Sequence, residues 1–348
     1  MPKNSLSSYN PFLHWSFLLP LIFSITVFFL YYVPHITLRL LNDPKAVDFH
    51  STYLGLTNCC YLPTAIYIQN FMGIWTSSKL EFAYFLYILY VILSVVFVSL
   101  YTKSLKISGL HFSWPATVVL FSSSLLNLLF LARFSTMIRW SISTYIFLII
   151  LLILHYKIAS LKANKPSKIS KNGIFVLFQF IKSPSLLILS LIAISTHYFS
   201  IVYFLSLITF CFIDSVSDKF RQKHLAVLVF FGVTLIFNLS IMYLYVLIHF
   251  TSYGLGYNIE VFSEFFLVLA FLTHNFFYII NKKFRQSILK VLPISDLLFK
   301  STAVFLILPL PFLFTRLYTP YIIVWPVIFG LFLTRRRQYM PTANLNPF

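Results

Sequence analysis

Residues 132–145 read ARFSTMIRWSISTY and separate two long apolar runs, so this short stretch decides how the chain is divided. It places Arg133 and Arg139 at a predicted membrane boundary. A charged side chain at that depth is costly unless it finds a partner. Guanidinium is planar, always charged and matches phosphate oxygens in pairs. The stretch therefore predicts a phosphate-binding site, and the alternative is two arginines that reach lipid headgroups or join two loops.

Composition defines the broad class. The 348 residues are 59% hydrophobic and only 10% charged, whereas a soluble globular protein is about one quarter charged. Apolar runs of roughly 20 residues recur and predict membrane-spanning helices. The net charge of +18 lies in short loops between these runs, so nucleic acid is not an expected partner. We expect neither metal nor cofactor, because no spacing typical of such sites occurs.

The apolar runs predict an all-α, polytopic membrane helix bundle that forms a single domain over residues 1–348. Residues 34–80 predict an external segment with a re-entrant or interfacial helix, and residues 157–182 predict a cytoplasmic basic loop. About ten spans are expected, with both termini in the cytoplasm. They are Trp15–Val33, Phe82–Tyr101, Phe112–Leu131, Ser141–Tyr156, two short helices within Ser183–Ile213, Leu225–Phe250, Phe262–Ile280, Thr302–Phe314 and Tyr321–Leu333.

Two segments are harder to assign. Residues 183–213 are too long for one upright helix, and STHYFS interrupts them at residues 195–200. We favour two short helices with His197 near the apex, and one long tilted helix is the alternative. Within the basic loop, Ile174 to Ile181 is too short to cross and is predicted to lie along the surface. Residues 281–300 predict a second basic loop.

The positive-inside rule supports this arrangement, because every predicted inner loop is then basic. A few basic residues remain on the outer face and need another explanation. Four groups there form the predicted site: Arg133, Arg139, Arg316 and His197.

The arginines are expected to bind phosphate and His197 to act as a general base, since its unperturbed pKa is near 6.5. The alternatives are a His197 bonded to a backbone carbonyl at a helix apex and an Arg316 that anchors at the interface. External loops add further candidates, namely Asp48 and Glu260 as carboxylates and Tyr53 and Tyr257 as surfaces on which a sugar ring stacks.

Several stretches resemble a known family. IRWSISTYIFLIILL at residues 138–152, a basic loop, and LLILSLIAISTHYFSIVYFLSL at residues 186–207 are similar to the core of the Wzy-type polysaccharide polymerases, especially the EpsG-like branch. FTRLYTPYIIVWPVIFGLF at residues 314–332 resembles the late arginine and final span of that family, and DPKAVDFHSTY at residues 43–53 its early external segment. The family often has Gln-Gly or Gln-Ala after its arginine, where this chain has Trp140 and Ser141.

The resemblance implies an enzyme and its partners. Arg139 would correspond to the phosphate-binding arginine, His197 to the external histidine and Arg316 to the late arginine, whereas Arg133 is a candidate by proximity only. Such polymerases join undecaprenyl-diphosphate-linked oligosaccharide units into O-antigen, capsular or exopolysaccharide at the outer face of the bacterial inner membrane. A flippase and a chain-length regulator of the same pathway would be partners. Apart from the resemblance, the external carboxylates Asp48 and Glu260 are alternative candidates for the base.

Two other functions fit an apolar chain of this length. A flippase for the same lipid-linked sugar would need charges along a path through the bilayer, but the predicted ones lie on one face, and no internal repeat is visible. A membrane O-acyltransferase usually has an Arg and a His around its first span. Here His35 and Arg39 stand in the wrong order and spacing, so this function ranks third.

Overall fold

A computed structural model of the chain describes residues 22–34, 41, 79–107, 120, 122, 124–125, 138–164, 173–197, 200–216, 270–303 and 319–335. These residues are helical apart from short connections, and no strand occurs among them, which confirms the all-α prediction for this part of the chain. The helices are α1 (residues 22–34, with a π-helical turn at Phe28–Tyr32), α2 (Lys79–Ile107), α3 (Ile138–Asn164), α4 (Gly173–Ile181), α5 (Pro184–Thr196), α6 (Ile201–Val216), α7 (Ala270–Ile280), α8 (Lys282–Val291), α9 (Ser295–Thr302) and α10 (Thr319–Arg335).

Two helices are long and apolar enough to cross a membrane, Leu80–Ile107 in α2 and Ile138–Leu161 in α3. The bent pair α4 and α5 gives a third if it counts as one span. At 1.5 Å per residue, roughly 20 residues suffice to cross a hydrocarbon core about 30 Å thick. These helices indicate a membrane protein. The number of passes, the side of each terminus and the kind of membrane stay predictions.

The exposed side chains of the helices agree with a membrane protein. Large apolar side chains that point outward include Leu30, Ile188, Leu191 and Phe212, and their exposed fractions run from 57% to 76%. In water such a surface would be unfavourable, whereas in a bilayer it faces lipid tails that are equally apolar. The exposed side chains on α1, α5 and α6 are therefore what a lipid-facing surface requires.

Helices α2 and α3 pack along each other through aromatic rings and hydroxyl groups. The Tyr145 ring lies edge-on to Tyr90 and to Phe97, with ring centroids 6.0 Å apart in each pair. Its hydroxyl oxygen is 3.1 Å from that of Ser94, and the Tyr90 hydroxyl donates to the Ser124 carbonyl oxygen at 2.9 Å. Because a buried hydroxyl without a partner is unfavourable, the contact between Ser94 and Tyr145 helps to fix how the two helices align, and the Tyr90 bond ties α2 to Ser124.

The basic loop predicted at residues 157–182 is wrong at its start, because residues 157–164 are helical. Helix α3 continues to Asn164, because Ile158 extends its buried face. Residues 173–181 form the short helix α4, which buries Gly173 and Phe180 on one face and leaves its other face exposed. Its location along a membrane surface stays a prediction. Helix α4 packs against α6, so closely that a Cβ at Gly173 would overlap the carbonyl oxygen of Cys211.

The break predicted around His197 is confirmed. A separate bend of 86° lies at the other end of α5, where it meets α4, and Pro184 opens α5 at a position where its missing N–H is not needed. Helix α5 ends at Thr196, and α6 begins at Ile201. One long tilted helix is therefore wrong. The main neighbour of α5 is α3, whereas α6 packs mainly against α9 and α4.

The second predicted basic loop, residues 281–300, is also wrong. Asn281 caps α8 by accepting a hydrogen bond from the Phe284 N–H at 3.0 Å. Helix α9 follows, with Leu297, Leu298 and Phe299 buried. The apolar run packs α9 against α6, and its own basic residue, Lys300, is buried with it. Because basic residues are frequent in this segment, the sequence indicated a loop, and the short apolar run was not recognised as a buried helix.

Candidate functional site

Trp140 is the residue on which four helices meet. It lies in the first turn of α3 and is 2% exposed. Its ring lies edge-on to the His197 imidazole that follows α5, with ring centroids 5.0 Å apart. The same ring stacks on Tyr203 of α6 at 5.5 Å, and its Nε1–H donates to Oγ1 of Thr319 at the start of α10 at 3.0 Å. The ends of α3, α5, α6 and α10 are thereby fixed together.

Two predicted site residues belong to this cluster. Arg139 directly precedes Trp140 and is half-buried, and His197, also half-buried, contacts Trp140. The backbone of His197 ends α5: its N–H donates to the Ala193 carbonyl oxygen at 3.1 Å, and its carbonyl oxygen accepts from the Ser200 N–H at 3.0 Å. The Ser200 hydroxyl donates to the same oxygen at 2.9 Å. These backbone bonds fix where the imidazole stands.

Helices α3 and α5 run antiparallel, which assigns each residue to an end of the bundle. Next to the Trp140 contact with His197, the Ser143 hydroxyl donates to the Ala193 carbonyl oxygen at 2.9 Å. Toward the opposite ends of the two helices, the Lys157 ammonium bonds the Ser183 hydroxyl. Arg139 and His197 therefore share one end of the bundle, and Lys157 lies toward the other.

The start of α10 is fixed by a buried hydroxyl network. Tyr321 donates to Oδ1 of Asn275 in α7 at 3.0 Å, and its hydroxyl is 3.2 Å from that of Thr302 in α9. All three side chains are buried. Together with the Trp140 bond to Thr319, these contacts hold the first turn of α10, and Arg316 stands three positions before Thr319 in the sequence.

The remaining predicted site residues lie outside the described residues. The structure thus brings Arg139 and His197 to one cluster and says nothing of the others. They are Asp48, Tyr53, Arg133, Tyr257, Glu260 and Arg316. Across the described ranges, no three His, Cys, Asp or Glu side chains are grouped as a metal site would require.

Sequence reasoning missed a second charged cluster. The Lys300 ammonium is 2.5 Å from a carboxylate oxygen of Asp214 in α6 and 2.8 Å from one of Asp296, and the lysine side chain is only 8% exposed. Burial lowers the pKa of Lys300, but the carboxylates of Asp296 and Asp214 outweigh burial and raise it above its ordinary value. The signal was an aspartate inside an apolar run, at Asp214.

Trp140 was also missed as an organising residue. It was noted only because it stands where a similar family has glutamine. The signal was the run of small hydroxyl residues that follows it, since Ser141, Ser143 and Thr144 are all completely buried. Small side chains let neighbouring helices approach closely, as they do at helix interfaces in membranes.

The fold and the exposed apolar side chains define the class, a helical membrane protein. No family model, no curated protein and no solved structure matches the chain. What the protein does is therefore inferred from its own residues, above all from the cluster around Trp140.

Proposed function

We propose that the protein is a glycosyltransferase that polymerises undecaprenyl-diphosphate-linked oligosaccharide units at the outer face of the bacterial inner membrane. The observation that supports it best is the contact between Trp140 and His197, because it puts a guanidinium-bearing residue and an imidazole at one end of the bundle. Diphosphate recognition needs the first of these groups, and deprotonation of a sugar hydroxyl needs the second.

The proposed reaction uses groups at that end. The acceptor hydroxyl attacks the anomeric carbon of the donor, a new glycosidic C–O bond forms, and the bond from that carbon to the diphosphate oxygen breaks. Undecaprenyl diphosphate leaves with the electron pair. Arg139, joined by Arg316 and Arg133, stabilises the growing negative charge. His197 takes the hydroxyl proton, and Asp48 or Glu260 is the alternative base.

The proposal also states which side of the membrane the candidate site faces. The end that carries Lys157 also carries the exposed Lys182 at the corner between α4 and α5, and the last turn of α10 contains Arg335. Basic residues concentrate on the cytoplasmic side of membrane proteins. With ten spans and both termini inside, Arg139 and His197 face outward, where Tyr53 and Tyr257 contact the sugars. A flippase and a chain-length regulator of the pathway deliver the substrate and limit the product.

Replacement of Arg139 tests the proposal. In cells, Arg139→Ala at normal expression should remove long polysaccharide and leave single capped units on a gel of chain lengths. Arg139→Lys keeps the charge but loses the bidentate geometry, so we expect shortened chains. Lys182→Gln, a change at the other end of the bundle, is the matched control and should leave the distribution unchanged. A normal distribution from Arg139→Ala would reject the assigned role.

A flippase for the same lipid-linked sugar is the second candidate. The observation that favours it is the buried cluster of Lys300, Asp214 and Asp296, because charges inside a membrane bundle often mark ion or substrate pathways. The two functions give different deletion phenotypes. Loss of a polymerase leaves single units on the outer leaflet, whereas loss of a flippase leaves them on the inner leaflet.

A further inference from the structure

Helix α8 is short, basic and attached to the bundle by one face. Its Asn281 cap sets where it starts, and Ile288 and Val291 are buried. The carbonyl oxygen of Val291 accepts a hydrogen bond from the Tyr101 hydroxyl of α2, which fixes the end of α8 against the bundle. The orientation of α8 about its own axis is thus determined.

The opposite face of α8 is cationic. Lys282, Lys283 and Lys290 are all exposed there, and Lys283 and Lys290 lie two turns apart on the same side of the helix. Among the described residues no acidic side chain forms an ion pair with any of the three, and α8 contains no Asp or Glu. This lysine face is therefore a positive surface, and no acidic side chain in the described part of the protein neutralises it.

The lysine face begins where an apolar surface ends. Phe276, Phe277 and Ile280 are exposed on α7, which immediately precedes α8. A single residue, Asn281, separates Ile280 from Lys282, so the exposed side chains change from apolar to cationic within two positions along the chain. In a bilayer such a change marks the depth at which lipid tails give way to phosphate headgroups.

We propose that the lysine face of α8 binds the phosphate headgroups of anionic phospholipids, with Phe276, Phe277 and Ile280 against their acyl chains. The charge of the surface attracts an anion, and its adjacency to exposed apolar side chains favours one that also carries hydrocarbon. A lipid such as phosphatidylglycerol supplies both. This assignment stands independently of the polymerase, because α8 carries no residue of the proposed active site.

The test uses the full-length protein reconstituted in phosphatidylcholine bilayers with spin-labelled lipid as the probe. For each labelled lipid the measured quantity is the fraction whose motion the protein restricts. The ratio of this fraction for phosphatidylglycerol to that for phosphatidylcholine should exceed one for the native protein. It should fall toward one in the variant that carries Lys282→Gln, Lys283→Gln and Lys290→Gln. The corresponding variant with three arginines should keep the preference, which separates charge from folding.

Two further measurements decide the result. Raising the salt concentration should weaken the preference, since the attraction falls off within a Debye length. Free inorganic phosphate at matched ionic strength should not weaken it further, because phosphate lacks the acyl chains that the neighbouring apolar surface contacts. An unchanged preference in the glutamine variant, with its helix content intact, would overturn the proposal, and so would selective displacement by inorganic phosphate.

Discussion

Replacing Lys300 with methionine tests the buried cluster most sharply. The change keeps the length and apolar stem of the side chain but removes the ammonium that lies 2.5 Å from Asp214 and 2.8 Å from Asp296. Removing one partner of a buried ion pair typically costs about 3–5 kcal/mol, because the other charge stays buried without compensation. Asp296 is 32% exposed and regains some hydration, so we expect a value near the lower end.

The assay is equilibrium unfolding in mixed micelles, with SDS added as denaturant and helix content as the signal. Lys300→Met should lower the free energy of unfolding by about 3 kcal/mol. Adding Asp214→Asn to that variant should restore most of the loss, since the buried carboxylate is then neutral. A loss below about 1 kcal/mol, or no recovery in the double variant, would refute the ion cluster as a stabilising contact.

Alkaline pH gives an independent test of the same cluster. The pKa of Lys300 is raised above its ordinary value of 10.5, so the charged form is favoured in the folded protein. Its stabilising contribution is therefore complete below that pH and is lost only as pH rises through the higher folded-state pKa. The difference in unfolding free energy between native protein and Lys300→Met should stay constant from pH 7 to pH 10.

Five further substitutions test three helix contacts by the same assay. Thr319→Val should cost about 1 kcal/mol, because it removes the buried hydrogen bond from Trp140, and it should cost little when Trp140→Phe has already removed that bond. Gly173→Ala should cost roughly 1–3 kcal/mol, since its Cβ would overlap the Cys211 carbonyl oxygen; an unchanged midpoint would contradict this packing. Asn281→Ala should cost about 1 kcal/mol, and Asn281→Asp should cost far less.

The sequence predicted the helices well where apolar runs were long. Helices α2, α3 and α10 contain their predicted spans, and the break near His197 followed from the length of the run and its polar interruption. Charge was a poorer guide. Lys300 was assigned to the basic loop at residues 281–300, but its carboxylate partner Asp214 in α6 is distant along the chain, and nothing in the local sequence shows that pairing.

The candidate site was predictable only in part. Arg139 and His197 were expected at one end of the bundle, because each stands at the end of an apolar run that would cross in the opposite direction. The residue that connects them, Trp140, was not predicted. Its contacts join four helices whose order in space depends on tertiary packing, and aromatic residues are too frequent in this chain for one tryptophan to be distinctive.

The most direct measurement of the central claim is polymerisation by purified protein. Native protein in proteoliposomes, supplied with lipid-linked repeat units on the side that carries Arg139 and His197, should release undecaprenyl diphosphate and extend the saccharide by successive units. His197→Ala should retain donor binding and lose extension, whereas Arg139→Ala should lose both. Extension at the native rate by both variants, or extension only when substrate is supplied from the side that carries Lys182, would contradict the account.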